Sequence, residues 1–419
     1  MKIFNKLLFV LIFSLAGISI TYAAEGDTTK VKAHDDVAMT WYGNYEKWAV
    51  FPTDTSKSYR KIIMHYTMGC PSSGCSDWDY TTKIELLNET GEIDSTLDLA
   101  PNFKVNGSKV DSVKFSSDTT WVYYYNSSTK SMDTNLNSIL TIYLYNDVDP
   151  YLLTDSINVW TADYYNYIYD SSGNITDSTY VSKDSTWVTT YTNVYTHFNV
   201  TEPFELGRVI TPYAGDFSTS WKRTYSFDVT DYAPLLRDSV KFRAHYSGYS
   251  SGFSVTLDFD FIEGIPVREV LKVENLYRVN AGYDDGGTTF DANYMPAKDI
   301  DIGSDVSQLM LRVIPSGHGF DNDVYCAEFC EKDYYVKVGG SQKYSQNMWR
   351  DDCGANPLYP QAGTWLYDRA NWCPGTKVIA YDHDLTPYIT PGQSVNLDVD
   401  VEFYNWSGNQ SPYYIIEVQ

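Results

Sequence analysis

The chain has 419 residues, with 31 basic and 54 acidic side chains and a net charge of −23 at pH 7. A field of this sign repels phosphate backbones and anionic bilayers, so nucleic acids and membrane surfaces are poor partners. Thirty-eight tyrosines, with many Ser, Thr, Asn and Asp, favour strands and turns and predict an all-β protein. The length is suited to two domains, which we expect to be antiparallel sandwiches.

The first 23 residues have the layout of a cleavable signal peptide. Lys2 and Lys6 form a basic start, residues 7–20 are apolar, and residues 21–23 include small side chains. This pattern is typical of export, and the apolar run is too short for a spanning helix. We therefore expect a secreted or periplasmic protein with no membrane segment.

The first motif is a short loop between two cysteines, followed by two acids that flank a tryptophan. Cys70 and Cys75 enclose Pro-Ser-Ser-Gly, and Asp77-Trp78-Asp79 follows directly. Residues 59–68 and 81–87 are predicted strands, so the acids are expected at a sheet rim. A carboxylate beside an aromatic wall suits a carbohydrate site. An acidic turn without a function explains the same pattern.

Strands with one buried and one wet face are predicted where apolar residues alternate with polar ones, at 253–261 and 395–403. The first domain is predicted at 24–264 and the second at 265–419. An insertion rich in Tyr, Thr, Ser, Asn and Asp is predicted at about 92–203 within the first domain.

The insertion contains a near-repeat. Residues 116–122 read Ser-Ser-Asp-Thr-Thr-Trp-Val, and residues 182–188 read Ser-Lys-Asp-Ser-Thr-Trp-Val. Two copies are too few for a solenoid, so we interpret them as matching hairpins.

Six cysteines in an exported protein suggest disulfides. Six allow fifteen pairings, which sequence alone does not choose between, but local spacing favours the following three. These are Cys70–Cys75, Cys326–Cys330 and Cys353–Cys373. A zinc site is the alternative, but the spacings lack the usual paired Cys-x-x-Cys pattern and the expected compartment is oxidising. No metal is expected.

The second domain repeats the arrangement of an acid held in a cysteine loop. Glu328 and Phe329 lie between Cys326 and Cys330. Further along, Arg369 and Trp372 offer a cation and a stacking surface. A cleft between two β-domains is a common place for a ligand.

These motifs resemble the peptide-N-glycosidase F family. The match runs in order over about 44–91 and from 204 to the end, and leaves out the insertion. Its blocks are residues 70–79 (Cys-x4-Cys-x-x-Trp-Asp), 205–212 (Glu-Leu-Gly-Arg-Val-Ile-Thr-Pro), 258–260 (Asp-Phe-Asp), 316–318 (Ser-Gly-His), 326–330 (Cys-Ala-Glu-Phe-Cys) and 368–375 (Asp-Arg-Ala-Asn-Trp-Cys-Pro-Gly).

The resemblance implies two side-by-side jelly rolls with an active site in the groove between them. It implies hydrolysis of the amide between the innermost N-acetylglucosamine and asparagine, giving a glycosylamine and aspartate without a cofactor. Asp79 matches the principal catalytic aspartate and Glu328 a supporting glutamate. The substrate-binding residues expected around them are Trp78, Tyr80, His245, His318, Phe329, Arg369 and Trp372.

Three departures from the family pattern concern the site. The second supporting glutamate is absent, and His245 or Tyr246 stands at its place. Tyr80 replaces an arginine. The tryptophan that precedes the groove histidine in the family is missing from residues 316–318 (Ser-Gly-His), and Phe329 stands where the family has another tryptophan. If His245 lines the groove, the charges of Asp79 and Glu328 should raise its pKa.

The sequence thus supports an N-glycan amidase that acts as a monomer on N-glycosylated proteins or peptides. The runner-up is a glycan-binding relative without catalysis, which the lost glutamate and the aromatic insertion favour. A purely structural surface protein is a third possibility, although it would not need two acids each fixed beside a disulfide.

Overall fold

The computed structural model of the chain is built almost entirely of antiparallel strands, as the composition predicts. It describes residues 26–102, 104–105, 108–109, 113–126, 128–145, 153–160, 164–181, 190–250, 252–283, 289–320, 322–358, 360–406, 408 and 411–419. The predicted signal peptide and the second copy of the near-repeat lie outside these residues. The first copy lies in a strand (β7, below).

The strands are numbered along the chain. The first four are β1 (Thr28–Met39), β2 (Asn44–Val50), β3 (Tyr59–Gly69) and β4 (Thr81–Asn102). Then follow β5 (Lys104–Val105), β6 (Ser108–Lys109), β7 (Val113–Asn126), β8 (Ser131–Tyr145), β9 (Leu153–Trp160), β10 (Tyr164–Tyr169) and β11 (Ile175–Val181). The next four are β12 (Thr190–Ile210), β13 (Lys222–Asp228), β14 (Ser239–Tyr246) and β15 (Phe253–Glu263).

The remaining strands and the helices are as follows. The strands are β16 (Tyr277–Gly282), β17 (Lys298–Asp301), β18 (Met310–His318), β19 (Asp333–Val338), β20 (Ser341–Asn347), β21 (Trp349–Arg350), β22 (Arg369–Ala370), β23 (Tyr381–Asp384), β24 (Ser394–Val401) and β25 (Tyr413–Val418). The α-helix α1 (Phe290–Tyr294) and the 3-10 turns Thr230–Tyr232, Cys353–Ala355 and Thr386–Tyr388 are short. None of the described helices is long and apolar enough to cross a membrane.

Two four-stranded sheets form the first sandwich, in the orders β1-β15-β3-β13 and β12-β4-β14-β2. Every second residue of β15 from Phe253 to Phe261 is buried in the core between them, as the alternation predicts. Aromatic rings fill this core; Phe51, for example, packs 5.2 Å from Phe259. Burial of one face of each sheet supplies most of the driving force for such a layer.

The second sandwich has the sheet orders β16-β25-β18-β23 and β17-β24-β19-β20. Its core takes Val395, Leu397, Val399 and Val401 from β24. The predicted strand extended two residues further, to Phe403, and this part is wrong. Phe403 lies beyond the last paired residue of β24 and is exposed.

The chain divides into two compact units. One contains the chain up to Asn88 and from Thr201, and thus both sandwiches; the other is Glu89–Val200. The second unit contains the three-stranded sheet β7-β8-β9 and the hairpin β10-β11. The domain limits of the sequence analysis stay predictions.

Candidate functional site

The turn that carries Asp79 connects the end of β3 to the start of β4. A disulfide between Cys70 and Cys75 closes its first half. Thr211 then fixes the backbone on both sides of Asp79. Its hydroxyl donates to the carbonyl of Trp78 at 2.7 Å and accepts the N–H of Tyr80 at 2.7 Å. The carboxylate is therefore held at the sheet rim by its own main chain.

Asp79 receives a hydrogen bond from a tyrosine distant in sequence. The hydroxyl of Tyr213 donates to Asp79 Oδ2 at 2.6 Å, and lies 3.1 Å from the hydroxyl of Thr364. Burial raises the pKa of Asp79, while the Tyr213 hydrogen bond and the charge of Arg369 hold that pKa down.

Glu328 lies within the loop closed by the Cys326–Cys330 disulfide. The N–H of Gly319 donates to its Oε2 at 3.1 Å, and Arg369 Nε donates to its Oε1 at 2.9 Å. The pKa of Glu328 is raised to about 7, mainly by burial and also by the charge of Asp79, while Arg369 opposes the rise. Burial is thus the largest cause of the raised pKa.

Arg369 joins the two carboxylates. Its Nη2 donates to the hydroxyl of Thr364 at 2.9 Å, and Thr364 meets the Tyr213 hydroxyl. An unbroken sequence of hydrogen bonds thus runs from Asp79 through Tyr213, Thr364 and Arg369 to Glu328. Because charge-assisted hydrogen bonds are strong and directional, this sequence fixes both acids in one geometry.

A stack of rings lies behind Arg369. Its guanidinium carbon is 4.7 Å from the centroid of the Trp372 ring, and the Trp372 indole N–H donates to the carbonyl of Gly317 at 2.7 Å. The His318 ring stacks on Trp372 at 5.2 Å and on Tyr413 at 5.1 Å. Burial, with the charges of Arg208 and Arg369, lowers the pKa of His318 to about 3, so this histidine is neutral.

Exposed aromatic side chains lie near the two acids in the chain. Trp78, next to Asp79, is 52% exposed. Tyr249 is also exposed and packs edge-on against Tyr80 at 5.5 Å. Tyr367 is exposed and packs against Phe329, which lies next to Glu328. Such faces can stack on sugar rings.

Four residues expected to contact substrate are buried, and their contact with substrate stays a prediction. Arg369 is 0% and Trp372 is 2% exposed. His318 lies inside the ring stack, and Tyr80 is covered by Tyr246 and Tyr249. Protein neighbours take up most of their surfaces, and Arg369 bonds Glu328 directly.

His245 lies away from both acids. On β14 the alternate residues Phe242, Ala244 and Tyr246 enter the core, so His245 is on the opposite face. Its Nδ1 is 2.8 Å from Asn44 Oδ1. Burial, followed by the charges of nearby cations, lowers its pKa. The predicted rise is therefore wrong.

Sequence reasoning missed Tyr213, Thr364 and Tyr413. Tyr213 follows the Glu-Leu-Gly-Arg-Val-Ile-Thr-Pro block and Thr364 precedes the Asp-Arg-Ala-Asn-Trp block, so both adjoin recognised motifs. Nothing local marks Tyr213 among thirty-eight tyrosines. In the described part of the chain, no three His, Cys, Asp or Glu side chains are grouped as a metal site.

Comparison with known proteins gives concordant results. Residues 287–416 match the family described as peptide-N-glycosidase F, C terminal. The chain is 27% identical over 232 residues to the peptide-N(4)-(N-acetyl-beta-D-glucosaminyl)asparagine amidase F of Elizabethkingia miricola. That alignment covers 52% of this chain and 63% of the relative, so the chain spans somewhat less than two thirds of the relative's length.

Solved structures share the fold. PNGase F, a glycosylasparaginase from Flavobacterium meningosepticum, has a TM-score of 0.58 at 17% identity, covering 94% of each chain. PNGF-II has a TM-score of 0.52 at 13% identity, covering 93% of this chain and 65% of the other. The fold prediction of antiparallel β-sandwiches is confirmed. In its ordered motifs, its C-terminal family match and this fold, the chain is similar to the peptide-N-glycosidase F family.

Proposed function

We propose that the protein is an N-glycan amidase that hydrolyses the bond between N-acetylglucosamine and asparagine in glycoproteins or glycopeptides. The observation that carries the proposal is the hydrogen-bonded sequence from Asp79 to Glu328. It holds two carboxylates with raised pKa values beside exposed aromatic side chains. A purely structural role does not require this arrangement.

Asp79 acts on water. The water oxygen bonds to the carbonyl carbon of the asparagine side chain while Asp79 accepts a proton from that water. The C–N bond then breaks as Asp79 returns the proton to the leaving nitrogen. The products are a glycosylamine and an aspartate, and Asp79 ends ionised as it began. Tyr213 keeps Asp79 Oδ2 fixed, so Oδ1 is the oxygen that exchanges the proton.

Glu328 positions the water or a sugar hydroxyl. Arg369 and the Gly319 N–H each occupy one side of its carboxylate, which fixes its direction. Because its pKa is about 7, it is partly protonated near neutral pH and can donate or accept a hydrogen bond. Glu328 can therefore stabilise the charge that develops on the tetrahedral intermediate.

The partner is an N-glycosylated protein or peptide outside the cytoplasm. Three disulfides support an oxidising location. Exposed Trp78 and Tyr249 offer stacking faces for the sugars next to the scissile amide. The inserted unit is assigned to substrate choice, because every residue of the candidate site lies outside Glu89–Val200.

The test is a comparison of the wild type with Asp79→Asn on a purified glycopeptide. Mass spectrometry should show asparagine becoming aspartate with the wild type, and the variant should be slower by about 10²–10⁴-fold. Asp77→Asn, a change on the same turn at an exposed carboxylate, should keep the wild-type rate. An Asp79→Asn protein with an unchanged rate would refute the assignment.

The family's second supporting glutamate is absent from this chain, and its absence favours one alternative function, a glycan-binding protein without catalysis. Neither His245, on the far face of β14, nor buried Tyr246 supplies a third carboxylate. This alternative is supported if the wild type leaves the asparagine intact yet binds the glycopeptide as tightly as Asp79→Asn does.

A further inference from the structure

A cavity lies where the two sandwiches meet, separate from the candidate active site. Its volume is about 510 Å³, and its walls come from β12, β13, β18 and the segment 376–382. Neither Asp79 nor Glu328 lines it. A space of this size falls in the range of small-molecule pockets, about 300–1,000 Å³, and exceeds the needs of a single inorganic ion.

The cavity is rich in cations although the chain is strongly acidic. Its lining includes Arg208, Arg223, Arg312, Arg350 and Lys377 against only Asp228 and Asp382. Three of the cations are neutralised by bidentate pairs: Arg208 with Glu205, Arg312 with Asp382 and Arg350 with Asp352. Asp228 in turn lies 3.3 Å from Lys61. Arg223 and Lys377 remain without a carboxylate partner in the described part of the chain.

Arg223 is the less satisfied of the two. Its Nε is buried and has no hydrogen-bond partner among the described residues. Its guanidinium lies 5.5 Å from the centroid of the Tyr225 ring. A buried donor on a cation that lacks both an acceptor and a counter-charge costs folding free energy, and a bound anion would remove that cost.

Lys377 lies along the same wall. Its Nζ donates to the carbonyl of Ser226 at 2.8 Å and is 5.3 Å from the centroid of the Phe227 ring. Arg223, Tyr225 and Phe227 alternate along β13 and so share one of its faces. Burial lowers the pKa of Lys377, and no carboxylate offsets this effect. Arg223 thus lies on one face of β13, and Lys377 bonds the main chain of the same strand from the segment 376–382.

The remaining wall is mainly apolar, with Ile314 and Val378 facing the same space. An occupant must therefore combine a charged group with an uncharged body. We propose that this cavity binds a small organic oxyanion, whose carboxylate or phosphate pairs with Arg223 and Lys377 while its body lies against Phe227, Ile314 and Val378. This proposal does not depend on the proposed amidase function.

Calorimetric titration of the full chain at low salt tests whether the cavity binds an organic oxyanion. The probes are N-acetylneuraminic acid for a carboxylate, glucose 6-phosphate for a phosphate, glucose as an uncharged sugar and inorganic phosphate as a bare ion. At least one organic anion should bind with a Kd below about 1 mM, glucose should not bind, and inorganic phosphate should bind more weakly than that organic anion. The two organic probes identify the head group.

Arg223→Gln and Lys377→Gln should each weaken the binding by about tenfold or more, the value of a lost charge-assisted hydrogen bond. The matched control is Lys222→Gln, one residue away on β13, where the side chain is exposed and lies 3.6 Å from Asp36. It should bind as the wild type does. Since no ion pair is lost, the melting temperature of ligand-free Arg223→Gln should not fall.

Three results would overturn the proposal. In the first, neither organic anion binds. In the second, all three variants bind the anion equally. In the third, inorganic phosphate binds as tightly as the organic probes, which means that the cavity holds an adventitious ion only. Should Arg223→Gln fail to fold, the guanidinium has a structural role and Lys377→Gln alone decides whether the anion binds here.

Discussion

The hydroxyl of Tyr213 lies 2.6 Å from Asp79 Oδ2, although 134 residues separate the two in the chain. This contact is the first step of the hydrogen-bonded sequence that ends at Glu328 in the other sandwich. A carboxylate that accepts such a bond keeps its ionised form more easily despite burial. Tyr213 therefore sets both the direction and the protonation of the residue to which we assign the proton transfer.

Tyr213→Phe should reduce kcat/KM on a glycopeptide by about 10–100-fold, the range for a lost hydrogen bond to a charged group. Because that bond holds the Asp79 pKa down, its loss should also move the acidic limb of the pH–rate profile to higher pH. Tyr66→Phe is the control, since the Tyr66 hydroxyl bonds the Thr82 hydroxyl inside the core. Equal changes in the two variants would contradict this role.

Thr211→Val should damage the site although valine has nearly the same shape as threonine. The substitution removes the hydroxyl that bonds the Trp78 carbonyl and the Tyr80 N–H, and leaves the buried N–H without that acceptor. We expect a loss of about 1–3 kcal/mol in the free energy of unfolding, and a fall in kcat larger than the change in KM, because Asp79 is displaced.

Thr224→Val provides the comparison for Thr211→Val, since Thr224 is exposed on the sheet surface and its hydroxyl bonds the Thr67 hydroxyl. Urea denaturation and glycopeptide kinetics are measured for both variants. If Thr211→Val unfolds at the wild-type urea concentration and keeps its rate, the backbone around Asp79 does not need this residue.

Part of this site could be predicted from local sequence. The alternation at 253–261 identified β15, and the cysteine loops identified the two acids, because turn chemistry and strand period act over a few residues. The face of β14 on which His245 lies could also be predicted from the sequence. Its neighbours Phe242, Ala244 and Tyr246 form the apolar set, which leaves His245 on the opposite face.

The contacts between the sandwiches could not be predicted in this way. Tyr213 reaches Asp79 because β12 and β4 are neighbours in one sheet, and it reaches Thr364 because the two sandwiches pack together. No periodicity in the chain records either pairing. The burial of Trp372 has the same cause. A tryptophan in a Cys-Pro-Gly motif suggests a stacking surface, yet Arg369 and His318 cover its two faces.

Glu328→Gln should change how stability depends on pH. The pKa of Glu328 is about 7 in the folded protein against an ordinary 4.5, so folding favours its protonated form. The stability this supplies is complete below pH 4.5 and is lost as the pH rises through about 7. Across this window the wild type should lose up to about 3 kcal/mol relative to the variant.

The measurement for Glu328→Gln is urea unfolding of both proteins at several pH values, which cancels the titration of all other groups. Glu274→Gln is the control, because Glu274 is exposed and pairs only with Lys272 in the described structure. Glu328→Gln, unlike the control, should also lose several kcal/mol of transition-state stabilisation. Parallel stability curves for wild type and Glu328→Gln would show that the carboxyl titrates normally.

Removal of the inserted unit should change substrate choice and leave the chemistry intact. The Thr90 hydroxyl donates to the Val200 carbonyl at 3.0 Å, so the chain enters and leaves this unit at neighbouring positions on β4 and β12. A short turn can therefore replace the residues between Thr90 and Val200. The shortened protein should hydrolyse a small glycopeptide at the wild-type kcat/KM, because Asp79, Tyr213, Thr364, Arg369 and Glu328 all lie outside the unit. Its kcat/KM for intact glycoproteins should differ from the wild type, and a panel of folded and denatured glycoproteins measures the difference. Full activity on every member of the panel would mean that the unit has no part in substrate choice. If the shortened protein still folds but no longer hydrolyses the glycopeptide, the unit takes part in the reaction itself.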